Sequence, residues 1–377
     1  MARRGPHEGS IYERTDGRWV GSVHLGYANG KRIRRSFYGA TRAEVAAKLL
    51  TAQRAKVDGL PLPPERLTVA AYLTGWLDGK APELRPATMR SYRGMVDGHL
   101  IPRLGHLRLA RLGPADVRAM MTAELAAGKS PRSVGYMRGV LRVALAQAVR
   151  DGLLARNVAA LAEPPRVPAY TATTLDPEQA RVFLRSVAGE RLAALYTVAV
   201  ALGLRQGEAL ALRWEDVDLD AGTLTVRASL QRVGGHLVPV EPKSRTSYRT
   251  LPLPTFAIAA LREHRRRQRQ DRLLAGSAWH ETGYLFTTTV GTPLDGPTVT
   301  HGLQRHLAAA GLPRLRFHDL RHSCASLLLA EGVNPRTVME LLGHSQVSLT
   351  LNTYSHVLPA LTRDAVDRLD TLLGAES

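Results

Sequence analysis

The stretch RFHDLRHSCASLLLAEGVNPRTVMELLGHSQVSLTLNTYSHV, residues 316–357, gathers polar side chains of a kind that a helix rarely collects by accident. Its first half reads as a helix on which His318 and Arg321 stand three apart and so share one face. The positive end of that helix adds to their pull on an anion. His322 completes an H-x3-H spacing, but Asp319 stands where a zinc-protease helix needs glutamate, and no third ligand stands out, so no metal is expected. Cys324 lies among Ala325, Leu327 and Leu328 and reads as core packing rather than a nucleophile. Asn334 then caps a second helix, Pro335 takes its first position and Gly343 stops it. His344 is thereby presented at a turn, and Tyr354 follows ten residues on in another short helix. A lone tyrosine is ordinarily amphipathic packing.

Two segments upstream belong with this one. In ALGLRQGEALALRWEDVDL (201–219), Arg205 follows the apolar helix YTVAVALGL, which puts it at a helix end beside the core, with Glu208 three residues away. GTLTVRASLQRVGGHLVPVEPKSRTSYRTLPLP (222–254) alternates apolar and polar residues around Gly234-Gly235, as a small antiparallel sheet does. It contains Lys243, one of only 6 lysines among 51 basic residues and the only one after Lys129. Where arginine is the default cation, an isolated lysine points to a task such as giving up a proton, although chance competes when lysines are so few.

The chain carries a formal net charge of +18, which attracts polyanions, nucleic acid foremost among them. Residues 1–60 and 61–165 each hold +7 and the remainder only +4. Residues 9–38 alternate like strands, with turn signals at Asp16-Gly17 and Asn29-Gly30, and read as a three-stranded meander. A helix follows from Thr41, with Glu44 placed as in a capping box. The meander carries Arg14, Arg18, Lys31, Arg32, Arg34 and Arg35 among aromatic residues, a basic face that is either simply solvated or in contact with DNA. The proline-rich joint LPLPPERL (60–67) ends this unit. Residues 68–162 read as four or five helices, with Thr68, Thr88 and Ser130 as caps and Gly105 and Gly128 as stops. A second linker, EPPRVPAYTATT (163–174), precedes a helix opened by Asp176-Pro177. The expected domains are therefore 1–60, 66–164 and 175–377, in a multidomain, mainly α chain with small β-sheets. No apolar run is long enough to span a membrane, the N-terminus lacks an apolar signal core, and a single cysteine excludes an internal disulfide. A cytoplasmic, nucleoid-associated protein is expected.

The order Arg205, Lys243, His318-x-x-Arg321, His344, Tyr354, with these flanks, resembles the tyrosine recombinase family, phage-type integrases in particular. The likeness covers the whole third segment, and the front of the chain resembles the arm-binding sheet and the helical, SAM-like core-binding domain of integrases. What the resemblance implies is a mixed α/β catalytic domain and a site-specific recombinase independent of metal, ATP and other cofactors. Tyr354 would attack a DNA phosphodiester to give a 3′-phosphotyrosyl link and a free 5′-hydroxyl, and exchange would pass through a Holliday junction. Arg205 and Arg321 would hold the phosphate, Lys243 would serve as general acid, His318 and His344 would bond the phosphate and assist proton transfer, and Glu208 would orient its neighbours. The implied partners are attachment-type double-stranded DNA, four protomers on that DNA, and an excisionase or DNA-bending host factor. The tail TRDAVDRLDTLLGAES would dock on a neighbouring protomer or on its own domain. The outcome would be integration, and excision, of a phage genome or mobile element. The competing readings are a non-catalytic DNA-binding regulator on the same fold and a metal-dependent nuclease, the latter disfavoured by the lack of a carboxylate cluster.

Overall fold

The computed structural model describes residues 10–28, 31–57, 66–168, 173–241 and 248–343, and the chain divides into two compact units, Met1–Pro168 and Ala169–Ser377. In the first unit, β1 (Ser10–Glu13), β2 (Trp19–Ala28) and β3 (Lys31–Gly39) form the expected antiparallel meander in the order β1-β2-β3. Gly17, at φ +77°, makes the first turn possible. α1 (Arg42–Val57) packs Val45, Leu49 and Ala52 on Val23 and Phe37. Thr41 caps it through the Glu44 amide at 3.2 Å, but the reciprocal bond is shifted by one residue, because Glu44 accepts from the Ala40 amide.

The helical region holds α2 (Val69–Lys80), α3 (Pro86–Met95), α4 (Ile101–Leu104), α5 (Pro114–Ala126), α6 (Pro131–Arg150) and α7 (Val158–Leu161). α3 continues into α4 through a π-helical turn at Val96–Leu100. Pro102 lacks the N–H that would bond four residues back, and the helix widens just before it. Thr68 and Ser130 cap α2 and α6 as expected. Thr88 does not cap: α3 already begins at Pro86, whose preset φ suits the first helical position, so Thr88 lies inside the helix. The apolar faces of these helices bury one core, which includes Leu73, Trp76, Leu100, Met137 and Leu141.

In the second unit, Asp176 and Gln179 close a capping box on α8 (Pro177–Ser186). α9 (Ala193–Leu202) is apolar on all sides and buried accordingly. α10 (Gln206–Ala211), β4 (Val217–Asp218), β5 (Thr223–Val226), β6 (Ser229–Val233), β7 (His236–Val240) and β8 (Arg249–Pro252) follow. The single sheet expected over 222–254 is instead two: β4-β5-β8, and a separate β6-β7 hairpin turning at Gly234-Gly235. The physical reason lies at Gly207 of α10, where any Cβ would overlap Ser229 and crowd the Leu230 carbonyl. β6 leaves its neighbours to lie against α10 at that point. α11 (Thr255–Ala275), α12 (Gly296–Ala309), α13 (Phe317–Ala330) and α14 (Pro335–Leu342) complete the described elements. α14 begins at the Asn334 cap and ends at Gly343, φ +67°, as expected. No helix among the described residues is long and apolar enough to cross a membrane.

Candidate functional site

The site is assembled where α9 ends. Gly203 adopts φ +58° and reverses the chain, Leu204 is buried, and Arg205 is left in extended backbone at the N-cap of α10. Glu208, three residues on, accepts from the Arg205 amide at 3.1 Å and from its Nη1 at 2.6 Å. A second guanidinium reaches the same carboxylate from another element. Arg249, the first residue of β8, donates Nη2 to Glu208 Oε2 at 3.1 Å and Nε to the Leu341 carbonyl at 2.9 Å. Arg205 in turn donates Nη2 to the Gly343 carbonyl at 3.1 Å. The end of α14, where carbonyls lack helical partners and the dipole is negative, is thus held by two cations. The side chains of Glu208 and Arg249 are 5% and 8% exposed, that of Arg205 39%. Burial alone would raise the Glu208 pKa, but Arg249 and Arg205 more than reverse it and keep the carboxyl below its ordinary value.

α13 supplies the other wall. Arg316 and Asp319 close its first turn with a paired salt bridge, Nη2 to Oδ1 2.7 Å and Nε to Oδ2 3.0 Å, while Asp319 also accepts from the Arg316 amide. Asp319 is therefore engaged in capping. Arg321 is only 1% exposed and donates Nη1 to the Gly203 carbonyl at 2.9 Å, at the negative end of α9. His318 stays on the surface, its ring edge-on to His322 with centroids 4.9 Å apart. Its pKa is pushed down to about 4 by the packing around the ring, then by His322 and Arg321, with Asp319 opposing and Arg205 adding to the depression. Arg205, Arg321 and His318 thus belong to one electrostatic neighbourhood. Among the described residues no group of three or more His, Cys, Asp or Glu is arranged to hold a metal ion. Cys324 is buried, bonds the Ala201 carbonyl at 3.5 Å and has its thiol pushed up to about 12 by burial, as befits a core residue.

Of the residues singled out in the sequence, the structure brings together Arg205, Glu208, His318 and Arg321. Lys243, His344 and Tyr354, and the tail beyond, lie outside the described residues. Arg249 was not anticipated. It sits six residues after Lys243 in the stretch EPKSRTSYRTLPL, but nothing local there distinguishes Arg249 from other strand arginines. In the meander, alternation separates two of the basic residues. Arg35 pairs with Val23 across the sheet and lies over the Phe37 ring, on the face toward α1, whereas Arg34 is exposed and donates Nε to Ser22 at 2.8 Å. Arg14 is exposed beside Asp16, and Arg18 is exposed. Lys31 and Arg32 are placed only by backbone register, opposite Ala28 and Tyr27.

Comparison with known proteins gives the family and the fold. The profile of the phage integrase family matches residues 174–360, and that of the phage integrase N-terminal SAM-like domain matches residues 68–123. A tyrosine recombinase XerC-like protein of Caldanaerobacter subterraneus subsp. tengcongensis is 32% identical, over 91% of this chain and 93% of its own length. Among solved structures, the Tn1549 transposon integrase in complex with circular intermediate DNA superimposes with a TM-score of 0.68, at 21% identity over 80% of this chain and 100% of that one. A lambda integrase tetramer bound to a Holliday junction gives 0.57, at 19% identity over 92% and 96%. At such identities the structural likeness carries the fold, and the sequence matches carry the kinship: this chain belongs to the phage integrase family of tyrosine recombinases, enzymes that transfer DNA strands.

Proposed function

We propose that this chain is an integrase that cleaves and rejoins DNA at attachment-type sites through a 3′-phosphotyrosyl link to Tyr354, moving a phage genome or mobile element into and out of a chromosome. The observation that carries the reading is the gathering of Arg205, at the start of α10, with Arg321 and His318 of α13 around the junction of α9 and α10. In this reading the two guanidiniums bind non-bridging oxygens of the scissile phosphate and stabilise the charge that develops as the tyrosine oxygen attacks phosphorus. The bond to the 5′-oxygen breaks as the new bond forms, and Lys243 gives that oxygen its proton. His318, neutral near pH 7, accepts a hydrogen bond or a proton from the tyrosine hydroxyl, and His344 donates to the phosphate. The covalent link stores the energy of the broken bond, so that a 5′-hydroxyl of the partner strand reverses the step without a nucleotide cofactor. Residues 1–60 would bind arm-type sites through Arg14, Arg18, Lys31, Arg32, Arg34 and Arg35, residues 66–164 would grip the core site, and residues 175–377 would carry the chemistry. Four protomers on two DNA sites would complete exchange, as the lambda tetramer on its junction suggests, with an excisionase or DNA-bending host factor setting direction.

The test is incubation of the full chain with a nicked suicide duplex of its attachment site in EDTA. A protein–DNA adduct that survives denaturation is expected, and Tyr354→Phe abolishes it. Absence of adduct from the wild-type chain, on a site it binds, would instead favour a DNA-binding regulator. Adduct from the Phe variant would remove Tyr354 from the role of nucleophile.

A further inference from the structure

We propose that Arg249 is a positioning residue for strand cleavage, sharing Glu208 with Arg205 and seating the end of α14, from which the chain continues to His344 and Tyr354; the proposal rests on the recombinase reading above. One buried carboxylate lies between two guanidiniums, at 2.6 Å from Arg205 and 3.1 Å from Arg249. The trio therefore keeps one surplus positive charge, and Arg205 is its more exposed member. Without Arg249, Arg205 and Glu208 would form a neutral pair, and the carboxylate would draw the Arg205 fork toward itself and away from a phosphate. Arg249 also needs two donors aimed in different directions, Nε at Leu341 and Nη2 at Glu208. A lysine ammonium at the end of a flexible stem does not reproduce that planar fork. Arg205 holds the Gly343 carbonyl two residues further on, so a shift in either arginine moves the point where α14 ends relative to the other. Arg249 touches no reacting atom in this scheme; it acts through Glu208 and the helix end.

Single-turnover adduct formation on the nicked attachment site, duplex affinity and melting temperature are measured for the full-length wild type, Arg249→Lys, Arg205→Lys and the double variant. Arg249→Lys is expected to slow cleavage by about 10- to 100-fold, the scale of a small misplacement of catalytic groups, with affinity and melting temperature close to wild type. The double variant is expected to cleave no more than about twofold slower than Arg205→Lys alone, because both substitutions remove one coupled function. Arg249→Gln, which loses the charge as well as the fork, should slow cleavage at least as much as the lysine variant. Wild-type cleavage by Arg249→Lys, multiplicative losses in the double variant, or a rate loss matched by lost affinity or melting temperature overturns the proposal. Failure of both Arg249 variants to fold makes Arg249 a stability residue and overturns it as well. A wild-type chain that forms no adduct defeats the recombinase reading first, and is told apart by that control.

Discussion

Gly203→Ala tests how tightly the site depends on the end of α9. Gly203 sits at φ +58°, and a Cβ there would lie inside the 3.0 Å of Leu342 that real Cβ contacts do not breach, with Cys324 Sγ only 3.3 Å away. Leu342 is fully buried and Cys324 nearly so, which leaves neither side chain a route into solvent. Left-handed backbone costs a non-glycine residue about 1–2 kcal/mol, and forcing a methyl into a packed core costs about 1–3 kcal/mol more. The expected destabilisation is therefore about 2–5 kcal/mol. The functional loss should be larger than instability alone produces. The Gly203 carbonyl holds Arg321, and Leu342 lies between the two carbonyls that hold Arg249 and Arg205. Relief of the overlap must shift at least one of these, and a misplacement approaching 1 Å is worth on the order of 100-fold in rate. Because a chain of two units need not unfold in one transition, stability is best read by hydrogen exchange of peptides from α9 and α13 in urea, beside single-turnover cleavage below the transition. Gly203→Asn, which tolerates the left-handed region better but brings the same Cβ and a larger polar group into the closed space, should be no more stable than the alanine variant. A loss under about 0.5 kcal/mol with unchanged cleavage for the alanine variant would refute the reasoning.

The depressed His318 pKa has a definite consequence for acid stability. Folding lowers its proton affinity from the ordinary value of 6.5 to about 4, so the unfolded chain binds more protons and acid favours it. The contribution is intact above about pH 6.5 and is lost as the pH falls toward 4; NMR titration of the ring should show a midpoint near 4, and one near 6.5 would contradict the assignment. Cys324, the only cysteine, should fail to react with an aromatic disulfide reagent in the native chain at pH 8 and react fully once unfolded. Rapid labelling of the folded protein would show that the packing around Ala201 is not as described. In the meander, Arg34→Ala should weaken arm-duplex binding and reduce the slope of log K against log salt by about one, without lowering the melting temperature. Arg35→Ala should instead loosen the Phe37 face, and equal salt-slope changes for both variants would defeat the separation of faces.

Much of the local structure was legible because it obeys short-range rules. The turns at Gly17 and Gly234-Gly235, the caps at Thr41, Ser130, Asp176 and Asn334, and the stop at Gly343 each depend on a few adjacent residues. So does the Arg205–Glu208 pair, which a helix start places three residues apart. Thr88 is not the cap because Pro86, two residues earlier, is the stronger helix-start signal. Over 222–254, alternation marks strands without saying which strands pair; the approach of β6 to Gly207 is a tertiary event.

The sequence by itself determined the inventory of reactive groups, their order, the family and most helix boundaries, since these are properties of neighbours along the chain. Tertiary structure decided the state of those groups. Glu208 meets Arg249 across 41 positions, Arg321 meets Gly203 across 118, and Arg205 meets Gly343 across 138. No local periodicity encodes such separations. They arise only when α9 and α13 bury their apolar faces together, and that burial leaves Arg321 enclosed and Glu208 ionised between two cations.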